Sequence, residues 1–340
     1  MSKKPAILVT GAGGEVGTGL IHALSEEGRF DVLGLDLRPL EPELERRCAH
    51  TLQGNVLDAH LFERLVSEWE IHAIIHLAAL LSTSAEYKPA VAHAVNVNGT
   101  LNLLEHAVEQ ARAHGHAVKF LFPSSIAVYG VPDAETKRAA GAVTEEVFAS
   151  PTTMYGCNKL YCEHLGRYYS RHYRQLAADA SSPLVDFRCV RFPGLISAET
   201  MPTGGTSDYL PEMIHAAAKG EPYSCFVRPD TRIPFMAMPD AVAGVLRLLD
   251  ADRESLSTTV YNIGAFSPSA EEFAALVREA FPGAEIDYAI HAKRQAIVDS
   301  WPADVDDSRA RNDWGFEPRY DLERTVREYL VPNIVRRYRG

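Results

Sequence analysis

The stretch that decides the fold is Ala6-Ile-Leu-Val-Thr-Gly-Ala-Gly-Gly-Glu-Val-Gly17, a short apolar run followed at once by glycines. The apolar run predicts a first β-strand, and the residues from Val16 onward predict a helix. Glycine permits a tight turn and lets the N–H groups of a helix N-terminus approach a pyrophosphate. A glycine loop can also be a plain turn, but its place directly after a strand predicts a dinucleotide site.

The glycine spacing is of a narrow type. Glycines stand at Gly11, Gly14 and Gly17, which gives T-G-x-x-G-x-x-G. The more common G-x-G-x-x-G would need glycine at position 16, where this chain has Val16. We therefore expect Gly11, Gly14, Glu15 and Val16 to contact the pyrophosphate of a bound cofactor.

Asp36 follows the second predicted strand, nineteen residues after Gly17. A carboxylate at this place can accept hydrogen bonds from the adenosine ribose, and its charge would repel a 2′-phosphate. The cofactor predicted is therefore NAD, although Arg38 leaves NADP open and Asp36 could instead be a solvated loop carboxylate. Five residues that follow later strands are also expected to line the cofactor site: Asn55, Val56, Leu77, Ala78 and Ala79.

Short apolar runs alternate with amphipathic stretches through the first half of the chain, which is typical of βαβ units and a parallel sheet. The predicted fold class is α/β, a Rossmann-like doubly wound sheet with a smaller, discontinuous C-terminal α/β lobe. We expect a NAD-binding domain over 1–194 with about 235–264, and a substrate-binding lobe over 195–234 and 265–340. A long helix is predicted over Val91–His114, and surface loops are predicted over Asp133–Ala142 and Ala177–Ser182.

The segment Tyr155-Gly-Cys-Asn-Lys159 carries the predicted chemistry. Residues four apart on a helix share a face, so the Tyr155 phenol and the Lys159 ammonium would point into the same space. The positive charge would stabilise the phenolate, and lowering its pKa from ~10 by ~3 units needs ~4 kcal/mol. Tyr155 is therefore predicted to be a catalytic base, with Lys159 tuning its pKa.

Ser125 lies just past another predicted parallel strand, where ligands collect in such sheets. Its hydroxyl could hydrogen-bond the reacting oxygen while Tyr155 exchanges the proton. Asn96, in the preceding helix, is a candidate supporting residue near the cofactor, or else a simple helix-surface amide.

Composition narrows the possible partners and location. The chain has 340 residues, 46% of them hydrophobic and 23% charged, and a net charge of -11. The negative charge argues against nucleic acid or an anionic membrane surface as a main partner. No signal peptide fits the N-terminus, no apolar run reaches ~20 residues, and the five cysteines form no Cys-x-x-Cys pair. A cytoplasmic protein with reduced cysteines is expected.

Thirteen histidines raise the question of a metal site. The pairs His72/His76 and His114/His116 have no third ligand at suitable spacing, so no metal site is predicted.

These elements together resemble the extended short-chain dehydrogenase/reductase family: the glycine loop, Asp36, the segment Asn96-Val-Asn-Gly99, Ser125, and Tyr155 with Lys159. The resemblance implies a Rossmann-like core, a nicotinamide cofactor, Ser-Tyr-Lys chemistry and a helix-mediated homodimer.

Further segments resemble the short-chain L-threonine 3-dehydrogenases, among them Ala78-Ala-Leu-Leu-Ser82, Pro193-Gly-Leu-Ile-Ser197, Gly204-Gly-Thr-Ser-Asp-Tyr209 and Asp299-Ser-Trp-Pro302. This resemblance implies NAD⁺-dependent oxidation of L-threonine to 2-amino-3-oxobutyrate, a step of threonine catabolism, without a metal. It implies substrate contacts by Ser82, Ser125, Tyr155 and Thr206, and places Gly194 and Leu195 near the nicotinamide. Thr203 and Ser207 depart from the family pattern in the Gly204 loop.

The loop chemistry agrees with a small zwitterionic substrate. Hydroxyl and N–H groups of Gly204–Ser207 could bind a carboxylate, while Asp208 could meet the ammonium or cap the next helix. A nucleotide-sugar epimerase or dehydratase with tightly bound NAD is the alternative, because Arg228 and Arg232 could bind a second diphosphate. Both arginines could equally be solvated or ion-paired. Trp301 could form a pocket wall or belong to the core.

Overall fold

A computed structural model describes residues 4–177, 183–202 and 204–339. Most of the predicted loop Ala177–Ser182, and Thr203, therefore lie outside the described residues. No helix in the described ranges has both the length and the apolar character needed to cross a membrane.

The centre of the fold is a sheet of seven strands. In chain order, the strands of the described residues are β1 (Ala6–Thr10), β2 (Asp31–Asp36), β3 (His50–Gln53), β4 (Ile71–His76), β5 (Val118–Ser125), β6 (Ala142–Val143), β7 (Val185–Phe192), β8 (Gly194–Ile196), β9 (Tyr223–Cys225), β10 (Phe235–Ala237), β11 (Val260–Asn262), β12 (Ile286–Tyr288) and β13 (Asp304–Val305). The spatial order of the sheet is β3-β2-β1-β4-β5-β7-β11, and β1 pairs in parallel with both β2 and β4. This order confirms the predicted Rossmann-like fold.

Helices connect these strands. In the same residues they are α1 (Glu15–Glu27), α2 (Pro42–Glu45), α3 (His60–Glu68), α4 (Ser82–Tyr87), α5 (Pro89–His93), α6 (Gly99–His114), α7 (Ala134–Ala140), α8 (Met154–Arg171), α9 (Tyr209–Lys219), α10 (Met238–Asp250), α11 (Ala270–Ala280), α12 (Ala292–Asp299), α13 (Ser308–Trp314), α14 (Leu322–Arg324) and α15 (Val331–Arg339). Short 3₁₀ turns cover Ile126–Val128 and Arg253–Ser255, and π-helical turns cover Ala94–Asn98 and Thr325–Leu330.

The inner strands of the sheet are apolar because helices cover both of their faces, as in most parallel sheets, whereas the edge strand β3 is polar and partly exposed. Every residue of β1 is buried. Leu8, Ile74 and Phe120, from three neighbouring strands, share one buried cluster with Leu103 and Leu104 of α6. The core thus fixes the strand ends, from which the candidate site residues project.

The chain divides into two compact units. The first comprises Met1–Ser124, Cys157–Val190 and Val245–Val260. The second comprises Ser125–Gly156, Arg191–Gly244 and Tyr261–Gly340, and has its own parallel strand pairs β8–β10, β9–β12 and β6–β13. The domain limits predicted from the sequence, at 194/195, 234/235 and 264/265, stay a prediction.

Asp133–Ala142 is not the loop that the sequence predicted. It contains helix α7, and the Asp133 carboxylate caps this helix by accepting a 2.7 Å hydrogen bond from the Thr136 N–H. Lys137 is buried, and its ammonium donates to the carbonyl of Val298 at 3.0 Å. The loop prediction was wrong because the segment Ala134-Glu-Thr-Lys-Arg-Ala-Ala140 is rich in helix formers and follows an aspartate that caps it.

Candidate active site

The glycine loop is as closely packed as a dinucleotide-binding turn requires. Gly11 has φ +68°, and a Cβ at this position would lie 2.8 Å from the Ala78 nitrogen. A Cβ on Gly17 would lie 2.5 Å from the Gly11 carbonyl oxygen. Neither position can carry a side chain without backbone movement, so these two glycines set the path of the loop.

The loop leads into an uncapped helix N-terminus. Gly14 is the N-cap of α1, and in the described part of the chain no side chain caps this helix. Uncapped N–H groups with the positive end of the helix dipole form an anion site. Gly14 is exposed, and Glu15 and Val16 are partly exposed, which fits the predicted pyrophosphate contacts.

Asp36 ends β2 beside the loop. One of its carboxylate oxygens, Oδ2, accepts the N–H of Gly13 at 2.9 Å, and Oδ1 accepts the N–H of Arg38 at 3.2 Å. Each oxygen has a further lone pair, so the carboxylate can still accept ribose hydroxyls. The Arg38 side chain is exposed. The cradle, the helix end and the carboxylate together fit NAD.

A buried histidine supports the loop from the end of β4. His76 Nδ1 lies 2.7 Å from Thr10 Oγ1, and His76 Nε2 lies 3.1 Å from Thr100 Oγ1. Burial, together with the nearby Lys159 charge, lowers the pKa of His76 to about 3, so the ring is neutral. Thr10 Oγ1 also accepts the N–H of Ala78 at 3.3 Å. His76 was considered in the sequence only as a metal ligand, and nothing in its spacing predicted this supporting role.

The sequence left two roles open for Asn96, a supporting residue near the cofactor or a helix-surface amide. The structure excludes the surface amide. Asn96 is buried in the π-helical turn Ala94–Asn98, which interrupts the long helix predicted over Val91–His114. Its amide holds Leu80 from both sides, accepting the Leu80 N–H at 2.7 Å and donating to the Leu80 carbonyl at 3.0 Å. Such π turns often occur at functional sites. Asn96 thus fixes the backbone that follows Leu77–Ala79.

The loop after β3 is also fixed through its own hydrogen bonds. Asn55 Oδ1 accepts the N–H of Leu57 at 3.0 Å, and the Val56 carbonyl accepts the Asn102 amide at 3.0 Å. Val56 is buried, and a Cβ on Gly99 would come within 2.7 Å of its Cγ2. The contact of Asn55 and Val56 with adenine stays a prediction.

Tyr155 and Lys159 both lie near the start of α8, one helical turn apart. The Lys159 ammonium is buried and donates to the Pro123 carbonyl at 2.5 Å, and it lies 4.4 Å from the centre of the Phe122 ring. Burial lowers the pKa of Lys159 to about 8. At neutral pH the group is still mostly protonated, as a tuner of a phenolate must be.

Burial changes the pKa of Tyr155 in the direction opposite to the one that a catalytic base needs. It raises the pKa of the Tyr155 phenol above its usual range. An anionic Tyr155 therefore requires a compensating positive charge or hydrogen bond.

Ser125 lies at the end of β5, in the turn that leads to Ile126–Val128. Its Oγ accepts the N–H of Ala127 at 3.2 Å. The start of α8 approaches this turn closely, because a Cβ on Gly156 would lie 2.0 Å from the Ala127 carbonyl oxygen. Gly156 therefore brings the Tyr155 segment onto the Ser125 turn, a contact that the sequence motif alone did not predict.

The loop before α9 is closed by polar contacts of its own. The Asp208 carboxylate accepts the N–H of Gly205 at 2.7 Å and makes no capping bond to α9 within the described residues. Arg294 donates to the Gly205 carbonyl at 2.6 Å and lies 3.2 Å from the centre of the Phe226 ring. Thr206 is buried, and Ser207 is partly exposed. Asp208 therefore supports the loop and does not cap the helix, and its contact with a substrate ammonium stays a prediction. Arg294 was not identified from the sequence.

The two arginines that supported a nucleotide-sugar site are both ion-paired. Arg228 makes two 2.9 Å bonds to the Asp299 carboxylate and one of 3.2 Å to Asp230. Arg232 pairs with Glu272 and donates to the Ser267 carbonyl at 2.9 Å. The charge of each guanidinium group is therefore already neutralised by a carboxylate, which disfavours diphosphate binding at this place.

Four further predicted site residues lie in well-defined parts of the fold. Trp301 is buried, and its Nε1 has no hydrogen-bond partner among the described residues. Gly194 of β8 pairs with Phe235, and a Cβ there would lie 2.4 Å from the Phe235 ring. Leu195 is the next residue of the same strand, and Ser82 is the first residue of α4. Their contacts with substrate or nicotinamide stay predictions.

The whole chain is similar to proteins of known family. The model of the NAD dependent epimerase/dehydratase family matches residues 7–264. The mitochondrial L-threonine 3-dehydrogenase of Bos taurus is 34% identical over 325 residues, 95% of this chain and 81% of that protein. The L-threonine dehydrogenase structure from Clostridium difficile is 33% identical, with a TM-score of 0.86 and complete coverage of both chains.

A holo structure of a GalE-like L-threonine dehydrogenase from Cupriavidus necator is 36% identical, with a TM-score of 0.83 over 96% of this chain and 99% of that one. The family match covers more than half of the chain, and the glycine cradle and Asp36 are in place. The chain therefore belongs to the NAD dependent epimerase/dehydratase family, that is, to the extended short-chain dehydrogenases/reductases, as an NAD-dependent dehydrogenase.

Proposed function

We propose that the protein oxidises the secondary alcohol of L-threonine to give 2-amino-3-oxobutyrate, or that of a close 3-hydroxy amino acid to give the corresponding 3-oxo amino acid. The observation that carries the proposal is the start of α8. Tyr155 and Lys159 lie one turn apart there, and Gly156 lies directly against the turn that holds Ser125. The names of the bovine and bacterial relatives support threonine as the substrate.

In the proposed reaction, Tyr155 removes the proton from the β-hydroxyl group of the substrate. The Ser125 Oγ accepts the Ala127 N–H, and a hydroxyl that accepts one hydrogen bond can still donate another. Ser125 is therefore proposed to donate a hydrogen bond to the same substrate oxygen as it becomes a carbonyl. NAD⁺, when bound, supplies the hydride acceptor. Gly11, Gly14 and Asp36 would hold it.

Lys159 has the task of offsetting the desolvation of Tyr155. Burial raises the pKa of the phenol, whereas a positive charge on the same helix face lowers it. The Lys159 ammonium is held in place by the Pro123 carbonyl, so its charge stays fixed relative to the helix. The proposed role of Lys159 is therefore electrostatic, and it needs a protonated amine.

The loop that includes Thr206 and Ser207 is proposed to bind the amino acid, together with Ser82. Its backbone is fixed by Asp208 and Arg294, which suits a small substrate that needs a few well-placed donors. Trp301 is proposed as an apolar wall. Arg232 is less suited to substrate contact than the sequence suggested, because Glu272 already neutralises it. A cytoplasmic location and a homodimer also remain predictions.

The proposal is tested by following NADH formation with purified protein, NAD⁺ and L-threonine. L-serine, other 3-hydroxy acids and UDP-sugars are tested in place of L-threonine as alternative substrates. We expect NADH with L-threonine, and a loss of at least ~100-fold in kcat for Tyr155→Phe with NAD binding retained. Tyr161→Phe is the matched control, since Tyr161 is an exposed tyrosine of the same helix. Near-normal turnover of Tyr155→Phe, or conversion of a UDP-sugar without net NADH, would overturn the proposal.

A further inference from the structure

Two histidines and a glutamate meet at the edge of the sheet away from the cofactor loop. Glu70 immediately precedes β4, His72 is its second residue, and His116 lies two residues before β5. The glycine loop and His76 lie at the carboxyl ends of the strands, whereas this cluster lies at their amino ends. The length of β4 puts roughly 15–20 Å between the two edges, so the cluster is separate from the active site.

The three side chains converge on a small volume. His72 Nε2 lies 3.0 Å and His116 Nε2 lies 3.4 Å from the same oxygen of Glu70, Oε1. The two imidazole rings are stacked, with their centres 4.0 Å apart. One ligand atom from each residue lies within 4.8 Å of both others. In tetrahedral geometry, a zinc ion with bonds of about 2.0–2.1 Å separates its donors by roughly 3.3 Å, so only small side-chain movements are needed.

One of these donors has no hydrogen bond in the described part of the chain, although it lies 3.4 Å from Glu70 Oε1. His116 Nε2 is enclosed and makes no hydrogen bond within the described residues. A buried ring nitrogen without a hydrogen bond is costly, and a metal ion would satisfy it. The side chains of Glu70, His72 and His116 remain 42%, 38% and 25% exposed, so an ion can enter from solvent.

The backbone around the cluster is fixed. The Glu70 carbonyl accepts the N–H of Ala6 at 2.9 Å. The N–H of Ile71 donates to the buried side chain of Gln110 at 3.2 Å. On the other side, Gly115 adopts φ +78° and closes α6 through a 2.9 Å bond to Ala111, which turns the chain so that His116 returns to β4. The backbone that carries the three ligands is therefore held in place before any ion binds.

We propose that Glu70, His72 and His116 form a binding site for a divalent transition metal ion of the zinc type. Two imidazoles and one carboxylate are a common donor set for Zn²⁺ and leave a fourth position for water. His114 lies nearby, but its Nε2 contacts the Val66 carbonyl at 3.2 Å, so it is outside the set. The ion would tie the chain before β4 to the chain before β5, and would stabilise the fold without entering the reaction.

Grouping the histidines by their spacing in the sequence missed this set. The pairs considered were His72/His76 and His114/His116, yet His72 lies with His116, and the third ligand is a glutamate. His76 is used elsewhere, by Thr10 and Thr100.

The test uses the full-length protein, stripped with a chelator and titrated with Zn²⁺ by calorimetry and with Co²⁺ by visible absorption. We expect one ion per chain, a higher unfolding temperature with Zn²⁺, and affinity at least about tenfold weaker in His72→Gln, His116→Gln and Glu70→Gln, since losing even an outer partner costs about 10–100-fold. His60→Gln is the matched control, because His60 pairs with Glu63 at 3.0 Å and no third ligand completes this pair within the described ranges.

Binding by His72→Gln and Glu70→Gln as tight as that of the unaltered protein would overturn the proposal, as would the absence of stoichiometric binding. Circular dichroism identifies any variant that fails to fold, and the remaining two variants then decide. Dehydrogenase activity is expected to be the same with and without chelator.

Discussion

The carboxylate of Asp36 lies 2.9 Å from the backbone nitrogen of Gly13, so the residue proposed to bind the cofactor ribose also holds the glycine loop. Asp36→Asn keeps an acceptor for Gly13 but removes the charge. We expect this variant to raise KM for NAD⁺ and to improve use of NADP⁺ relative to NAD⁺ by about tenfold or more, which corresponds to ~1.4 kcal/mol. Steady-state kinetics with both cofactors measures the change.

Asp31→Asn is the control for this experiment, since Asp31 begins the strand that Asp36 ends. An unchanged cofactor preference in Asp36→Asn would show that the carboxylate supports only the loop.

Gly156→Ala tests the contact between α8 and the Ser125 turn. The added methyl group would meet the Ala127 carbonyl at 2.0 Å, so the helix start must move. We expect a loss of about 1–3 kcal/mol in stability and a fall of at least about tenfold in kcat, because Tyr155 moves with the helix. Gly283→Ala is a suitable control, since nothing lies within 4 Å of its Cβ position. Full activity in Gly156→Ala would contradict the assigned role.

Lys159 is expected to act through its charge. Removing it in Lys159→Met takes away a positive neighbour of Tyr155, so the pKa of the phenol rises and the ascending limb of the pH–rate profile moves to higher pH. Lys159→Arg keeps the charge and should restore part of the activity. A pH–rate profile of Lys159→Met with reduced kcat but an unshifted ascending limb would show that the lysine serves only packing or substrate orientation.

Acid is expected to unfold the protein through two buried histidines. Burial lowers the pKa of His76 to about 3 and that of His106 to about 4. Both values lie below the ~6.5 of an unfolded chain, so the unfolded state binds the extra protons. Their contribution to stability is complete above about pH 6.5 and is lost as the pH falls toward 4, by roughly 2 kcal/mol for each histidine at about pH 5.

His106→Leu isolates one half of this effect. His106 packs on Phe62, and its ring nitrogens have no partners among the described residues, so leucine removes the titration without breaking a bond seen in that part of the chain. The free energy of unfolding is measured with urea at about pH 7.5 and about pH 5. Between these two pH values it should fall by roughly 2 kcal/mol less in the variant than in the unaltered protein. His60→Gln, at an exposed position, should behave like the unaltered protein. Equal acid losses in all three would refute the assignment.

The parts of the fold that depend on local pattern were predictable from the sequence. The apolar run and glycines of Ala6–Gly17 gave the first strand, the loop and the helix nearly to the residue. The placement of Ser125 at a strand end followed in the same way. These features are encoded by neighbours in sequence, which pattern reasoning reads directly.

Contacts between distant residues were not predictable. The π turn that buries Asn96 and the pairing of Arg232 with Glu272 depend on which segments meet in space. The role of His76 beneath the glycine loop likewise requires β1 and β4 to be neighbours. Alternative roles for these side chains could be stated from the sequence, but the choice between them needed the tertiary structure.

The closeness of backbone to backbone around α8 has a consequence for changing the substrate of this enzyme. A Cβ on Gly130 would lie 1.8 Å from the Ser150 carbonyl oxygen, and a Cβ on Gly156 would lie 2.0 Å from the Ala127 carbonyl oxygen. The backbone around Tyr155 therefore has no room for larger side chains at these two positions. The segment around Thr206 and Ser207 is held by hydrogen bonds with the side chains of Asp208 and Arg294. Side chains can be substituted more readily than a main-chain contact can be changed. Libraries aimed at a changed substrate preference should therefore randomise that segment, which is the proposed amino acid site, and leave the helix start untouched.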